Sequence, residues 1–275
     1  MKHELRIGGD VFARSGHTYI MGILNVTPDS FSDGGRYDSI DEAFKHARQM
    51  VMDGADLIDI GGESTRPGHV PVSDEEEIKR IVTVIEMIKR HLDVPISVDT
   101  YKPAVAKAAI EAGADMINDI WGLKKDPEMA KIIAETGVTC CLMHNREAAD
   151  YEDLIPDCIA DLKETLRIAE DAGIDRDKIV LDPGIGFGKT YEQNLLVLKH
   201  LNEFHALGYP LLLGTSRKSV IGLTLDLPTD ERLEGTLATT VMGVMAGMSF
   251  VRVHDVVANE RAITMTEAVL KIQGE

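Results

Sequence analysis

ISVDTYKPAVAKAAIEAGADMIND, residues Ile96 to Asp119, contains the repeating unit of this chain. Ile96–Thr100 is a short apolar run with polar residues at its downstream end. A run of this kind marks a strand covered on both faces. Pro103 stands where a first helical residue belongs, and Gly113 where that helix must close. Met116–Asp119 is a second run of the first kind. Strand, helix and strand in so short a span require a parallel pair with a right-handed crossover.

Working outward, the same run recurs as MGILN (Met21–Asn25), LIDIGGEST (Leu57–Thr65), CLMH (Cys141–His144), IVLDPG (Ile179–Gly184), LLLGTS (Leu211–Ser216) and FVRVHD (Phe250–Asp255). Helix signals fill the intervals. Ser39 with Glu42, Ser73 with Glu76, and Thr190 with Gln193 form capping boxes. Asp126-Pro127 opens another helix, and Gly137, Gly173 and Gly208 close helices. Helices are also expected from about Asp230 to Ala246 and Val257 to Ile272. Eight strands alternating with helices predict an α/β fold, a single (β/α)8 TIM barrel over residues 1–275, with a short N-terminal hairpin plugging its bottom. A doubly wound open sheet is the rival. No G-x-G-x-x-G follows the first strand, and polar tips continue through all eight.

The 275 residues are 44% hydrophobic and 27% charged, with a formal net charge of -17. That balance argues against nucleic acid and against an anionic membrane as partner. An anionic ligand would need local Arg, Lys or a metal ion. Cys140 and Cys141 are adjacent in a predicted strand and point to opposite faces, and with Cys158 they offer no metal-ligand spacing. Reduced thiols and a cytoplasmic location are expected. The N-terminus has no apolar signal region, and no apolar run is long enough to span a bilayer.

The strand tips carry the chemistry. Asp99, Asn118 and Asp182 can cap neighbouring loops, or they can grip a ligand with several N–H donors, such as a 2-amino-4-oxo heterocycle. Asp182 opens DPGIGFGK, whose glycines allow close backbone approach and whose Phe187 offers a flat face; a phosphate loop or a tight turn reads equally from glycine alone. Lys218 in SRKS can bond a ring or stand as a solvated charge. Arg252 and His254 share one strand face and read as an anion site, or as an ion pair with Asp255. Two long loops follow the first two strands. NVTPDSFSDGG (Asn25–Gly35) carries Phe31 on a polar segment, which suggests a lid, and GGESTRPG (Gly61–Gly68) carries Thr65, Arg66 and Pro67.

Taken together, NVTPDSFSDGG, GGESTRPG, SVDT, INDIWG, DPGIGFGK, TSRKS and VRVHD, in this order and at strand ends, resemble the dihydropteroate synthase family over essentially the whole chain. The resemblance implies condensation of 6-hydroxymethyl-7,8-dihydropterin diphosphate with p-aminobenzoate, giving 7,8-dihydropteroate and pyrophosphate in folate biosynthesis, by an SN1-like route. It assigns Asp99, Asn118, Met143, Asp182, Phe187 and Lys218 to the pterin. Asn25, Thr65, Arg66, Arg252 and His254 go to the diphosphate, with Asn25 also on Mg2+. Phe31, Pro67, Phe187, Lys218 and Ser219 frame the aminobenzoate, where sulfonamide inhibitors compete. Asp99, Lys218, Arg66 and Asp33 are the expected catalytic groups, with Asp29 a weaker candidate than Asp33. The fifth run departs from the pattern: LMHNREAAD lacks the glycine and proline that many members carry after the histidine. Small residues between Gly235 and Gly247 pack on the barrel or form a homodimer face. Two rival functions remain: a pterin-dependent methyltransferase barrel, and a non-catalytic pterin-binding protein. The first does not need the two loops or the Arg-x-His pair; the second should have lost Asn25, Lys218 or the anion residues.

Overall fold

A computed structural model describes residues 4–13, 16–26, 36–63 and 72–272, with side chains from residue 40 in the third stretch. Phe31, Asp29, Asp33, Thr65, Arg66 and Pro67 lie outside them. Strands β1 (Leu5–Ile7) and β2 (Asp10–Phe12) pair antiparallel as the expected hairpin. Eight strands then pair in parallel: β3 (Tyr19–Asn25), β4 (Leu57–Gly61), β5 (Ile96–Asp99), β6 (Met116–Asp119), β7 (Thr139–Met143), β8 (Ile179–Asp182), β9 (Leu212–Leu213) and β10 (Phe250–Val253). The sheet order β8-β7-β6-β5-β4-β3-β10-β9 is closed by a parallel bridge between Leu181 and Leu211. The barrel is therefore the one expected.

Helices cover its outside: α1 (Arg36–Met52), α2 (Asp74–His91), α3 (Pro103–Glu111), α4 (Pro127–Thr136), α5 (Leu154–Ala172), α6 (Tyr191–Lys199), α7 (Ser219–Leu225), α8 (Leu233–Met245) and α9 (Val256–Lys271). The capping chemistry is largely as the sequence predicts. The Ser73 side chain accepts from the Glu76 amide, Thr190 and Gln193 form a complete capping box, and Gly137 and Gly173 close α4 and α5 in the left-handed conformation. Three expectations fail. Helix α1 starts at Arg36, so Ser39 lies inside it rather than at its cap. The helix expected to run to Gly208 gives way after α6 to a 3-10 segment, Leu201–Leu207. The seventh strand stops at Leu213, because Gly214 and Thr215 lead into a turn at Arg217, and α7 follows at once.

The core has two parts. Between strands and helices, residues such as Ile60, Ile85, Val98, Ile117, Leu142 and Leu181 are fully buried. Each such side chain contributes roughly 1.5–3 kcal/mol relative to exposure. Inside the barrel, Met21, Leu57, Met116, Cys141, Val180, Leu212 and Phe250 form a lower layer, and Leu5, Ile7 and Phe12 of the hairpin close it from below. Successive residues of a strand face opposite sides. The inward positions above the plug are therefore Asp59, Asp99, Asn118, Asp182 and Arg252, and the polar face opens only at the C-terminal end.

Candidate active site

The strand register sets the site. Asn25 lies beside Gly61, Gly61 beside Asp99, Asp99 beside Asn118, and Met143 beside Asp182. The residues named from the sequence on these six strands thus meet on one face of the barrel. Arg252 binds at its centre. Its Nε donates to Asp59 Oδ2 at 2.6 Å and its Nη2 to Asp99 Oδ2 at 2.8 Å. Asn118 Nδ2 donates to the same Asp59 oxygen at 3.2 Å. Burial works against the Arg252 charge, but Asp59 and Asp99 outweigh it and hold its pKa above the ordinary value. Arg252 pairs with Asp59 and Asp99 rather than with Asp255. Asp255 takes a two-pronged contact from Arg217, at 2.6 and 3.1 Å, and His254 Nδ1 meets Ser216 Oγ at 2.9 Å.

Gly214 marks where three groups converge. A Cβ there would lie 3.8 Å from each of Asp182 Oδ2, Lys218 Nζ and Arg252 Cβ. Asp182 accepts from the Gly184 amide through Oδ1 at 2.7 Å; burial pushes its carboxyl pKa up, with Lys218 opposing. Lys218 is not a solvated charge. Its Nζ donates to the Ile185 carbonyl and sits 4.8 Å from the centroid of the Phe187 ring. Burial lowers its pKa to about 8, against the pull of Asp182. Arg217 turns the chain toward it, with the left-handed φ of 57° that a non-glycine residue adopts at a cost of about 1–3 kcal/mol. Thr236 binds its amide and Arg232 its carbonyl.

Asp59 is the residue that sequence reasoning missed. It is fully buried, yet it carries the contact that places Arg252. The signal was the period-two alternation of Leu57, Asp59 and Gly61, hidden in an apolar run. His144, the last residue of the fifth run, does not face the barrel interior. It turns outward to α5, where its Nε2 meets Asp161 at 2.9 Å, and Met143 is the inward residue. The glycine loop leads into the N-cap of α6 at Thr190. Its turns pack onto the chain after β7: a Cβ on Gly184 would lie 1.9 Å from the His144 carbonyl oxygen, and one on Gly188 2.5 Å from that of Arg146. Asn25 is exposed at the mouth, and Ser219 is exposed at the start of α7.

Buried carboxylates and an amide converging at strand ends, with a phenyl ring beside Lys218, suit a flat heterocycle rich in N–H groups. The comparisons with known proteins agree. The model for pterin binding enzymes matches residues 21–254. A dihydropteroate synthase of Clostridium beijerinckii is 58% identical over 268 residues, covering 97% of this chain and all of that one. This chain belongs to the dihydropteroate synthase family. Among solved structures, a dihydropteroate synthase from Clostridium difficile, crystallised in the presence of pteroic acid, is 52% identical, has a TM-score of 0.91, and is matched over 94% of this chain and 99% of its own. The Xanthomonas albilineans enzyme with 4-aminobenzoic acid is 40% identical at a TM-score of 0.94, over 99% of this chain and all of its own. Membership, fold and the resemblance read from the motifs therefore agree.

Proposed function

We propose that the protein catalyses the dihydropteroate synthase reaction, with the pterin ring held at the barrel centre and the bond-making steps at its mouth. The convergence of Asp182, Lys218 and Arg252 about Gly214, over the Phe187 ring, is the observation that carries this reading. Asp99, Asn118 and Asp182 take the ring's amide and amino edge. Lys218 donates to its carbonyl side, from an ammonium that sits over the Phe187 ring. Asp59 Oδ1 and Ser97 Oγ are buried without a hydrogen-bond partner among the described residues, which leaves polar capacity beneath that ring.

In the reaction the bond between the pterin methylene carbon and the diphosphate oxygen breaks first, and its electron pair leaves with pyrophosphate. The methylene then shares positive charge with the electron-rich dihydropterin. Asp99 and Asp182, fixed in a dry setting, stabilise that charge as it develops. The neutral arylamine attacks with its nitrogen lone pair and releases a proton to water or pyrophosphate, so no strong base is required. His254, at the end of β10, and Arg66 complete the assignment to the diphosphate. Phe31, Pro67 and Ser219 frame the arylamine, and sulfonamides compete there as its isosteres.

Mg2+ fits as an ion brought with the substrate. Among the described residues no three His, Cys, Asp or Glu side chains gather to form a metal cage. The exposed Asn25 carboxamide is a hard oxygen donor at the mouth, of the kind Mg2+ takes alongside water and phosphate oxygens. When bound there, the ion supplies charge neutralisation to the departing pyrophosphate.

A homodimer through the outer face of α8 belongs to the same reading. Ala238, Met242 and Met245 recur at helical spacing and are exposed. Gly235 and Gly243 serve packing instead, against Ile221 and Leu213. Among the described residues no helix is long and apolar enough to cross a membrane. A cytoplasmic enzyme accords with the reduced state expected of its buried thiols.

The test is pyrophosphate release from dihydropterin diphosphate with Mg2+, with and without p-aminobenzoate. Release that yields dihydropteroate only when both are present is expected. Asn25→Ala and Arg252→Ala should each lower kcat/KM at least 100-fold with the circular dichroism spectrum retained. Unchanged rates in both would remove the diphosphate assignment. A methyltransferase would instead show no pyrophosphate release, and methyl transfer from a methylfolate.

A further inference from the structure

Lys189 closes the DPGIGFGK motif, but its side chain is not at the pocket. Its Nζ lies behind the loop, 2.8 Å from His144 Nδ1, 3.0 Å from the Gly184 carbonyl oxygen and 3.1 Å from that of Phe187. An ammonium has three N–H donors and no acceptor, so these three contacts use it fully. Gly184, Gly186 and Gly188 hold left-handed φ angles of 73°, 87° and 53°. Such a backbone turns carbonyl groups away from any strand or helix partner, and buried carbonyls need donors. Lys189 supplies them from inside the loop. From outside, Asn194 of α6 accepts from the Gly186 amide at 2.6 Å. Behind Lys189 a second tier orients its partner: His144 Nε2 meets Asp161, and Arg146 Nε donates to Asp161 at 2.6 Å.

We infer that Lys189 is a positioning residue for pterin recognition, which presets the loop that presents Phe187 and the Ile185 carbonyl to the ring and to Lys218. The geometry makes the connection direct. The Phe187 carbonyl is held by Lys189 and the Phe187 ring lies against Lys218, while the next anchor of Lys218 is the Ile185 carbonyl in the same loop. A buried ammonium is costly to place. Burial lowers the Lys189 pKa to about 8, with Cys158 and Asp182 opposing. A methionine of similar volume would fill the space without the donors.

The inference rests on the pterin reading above, and the experiment separates the two. Pterin-6-carboxylate binding is measured by titration calorimetry for the wild type, Lys189→Met, Phe187→Ala and the double variant. If the wild type does not bind, the functional reading fails. If it binds, Lys189→Met is expected to raise Kd at least 10-fold while Asp99→Asn-type losses remain available as an independent reference. In the Phe187→Ala background the same substitution should raise Kd less than 3-fold, because the group through which it acts is gone. Full multiplication of the two effects, or an unchanged Kd in Lys189→Met, overturns the inference. Should Lys189→Met not fold, Asp161→Asn on α5 replaces it: removing the charge that orients His144 is expected to raise Kd 3-fold or more and to speed amide exchange at Gly184–Gly188, and no change in either overturns it.

Discussion

At the scale of single residues, Asp59 decides how the site is assembled. It faces inward from the middle of β4 with no exposed surface, and it binds both Arg252 and Asn118. Removing one partner of a buried pair is costlier than never having had it, by about 3–5 kcal/mol, since the other charge stays buried. Asp59→Ala should therefore lower stability by about that amount in urea unfolding. Asp59→Asn keeps the shape and one hydrogen bond to Asn118 or Arg252, so it should lower stability less while still raising pterin Kd several-fold. Equal stability of both variants and the wild type would show that Asp99 alone suffices for Arg252. The residue also shows where sequence reading runs out. Asp99, Asn118 and Asp182 stand at strand ends, where polarity is conspicuous against an apolar run. Asp59 stands inside such a run, and only the inward direction set by the register gives it meaning.

At the scale of elements, the join between β7 and α5 carries a pH dependence. Burial lowers the His144 pKa to about 4, opposed by its hydrogen bond to Asp161, and Lys189 disfavours its proton further. Burial would raise the Asp161 carboxyl, but hydrogen bonds from His144 and Arg146 hold it well below the usual carboxylate range. The sign is the same for both. An unfolded histidine binds its proton near pH 6.5, whereas the folded one does so only near 4, so the unfolded chain holds more protons between these values. Stability from His144 is thus present above pH 6.5 and is lost as pH falls toward 4. Between pH 7 and pH 5 the loss should be about 2 kcal/mol. Asp161 adds to it only below about pH 4. The urea midpoint of the wild type should fall over that range, and His144→Gln should flatten the fall; a parallel fall in both would assign acid sensitivity elsewhere. The elements themselves were largely legible in the sequence, because capping residues and apolar runs act locally. The misses lie at element boundaries: α1 begins at Arg36, ahead of the Ser39 signal, and the helix expected to reach Gly208 tightens into a 3-10 segment after Lys199, since a capping motif marks where a helix can start or stop and not where it does.

At the scale of the whole molecule, most of the exposed large apolar side chains among the described residues lie on the outer helices. Besides Met242 and Met245 of α8, Leu223 and Leu225 of α7 and Met265, Val269 and Leu270 of α9 are exposed. Scattered apolar residues need no explanation, but their recurrence on three neighbouring helices supports the homodimer proposed above. A second copy of the chain fits that surface better than a basic partner does only on grounds of chemistry: the face is apolar, and it offers no carboxylate stripe, since Glu234 alone stands in line with Ala238, Met242 and Met245. The net charge of -17 sets the opposing term, because two copies repel unless apolar burial outweighs the repulsion. That balance gives the expected behaviour with salt. Screening shortens the reach of the repulsion, to about 8 Å at physiological ionic strength, so the dimer should tighten as salt rises from 20 to about 150 mM. Sedimentation equilibrium measures this directly. Met242→Lys with Met245→Glu replaces apolar contact by buried charge in each copy and should shift the protein to monomer at micromolar concentration, with Tm lowered by no more than the lost association accounts for. Persistence of the dimer in that variant would move the interface off α8, and a wild type that is monomeric at every salt concentration would remove the dimer altogether.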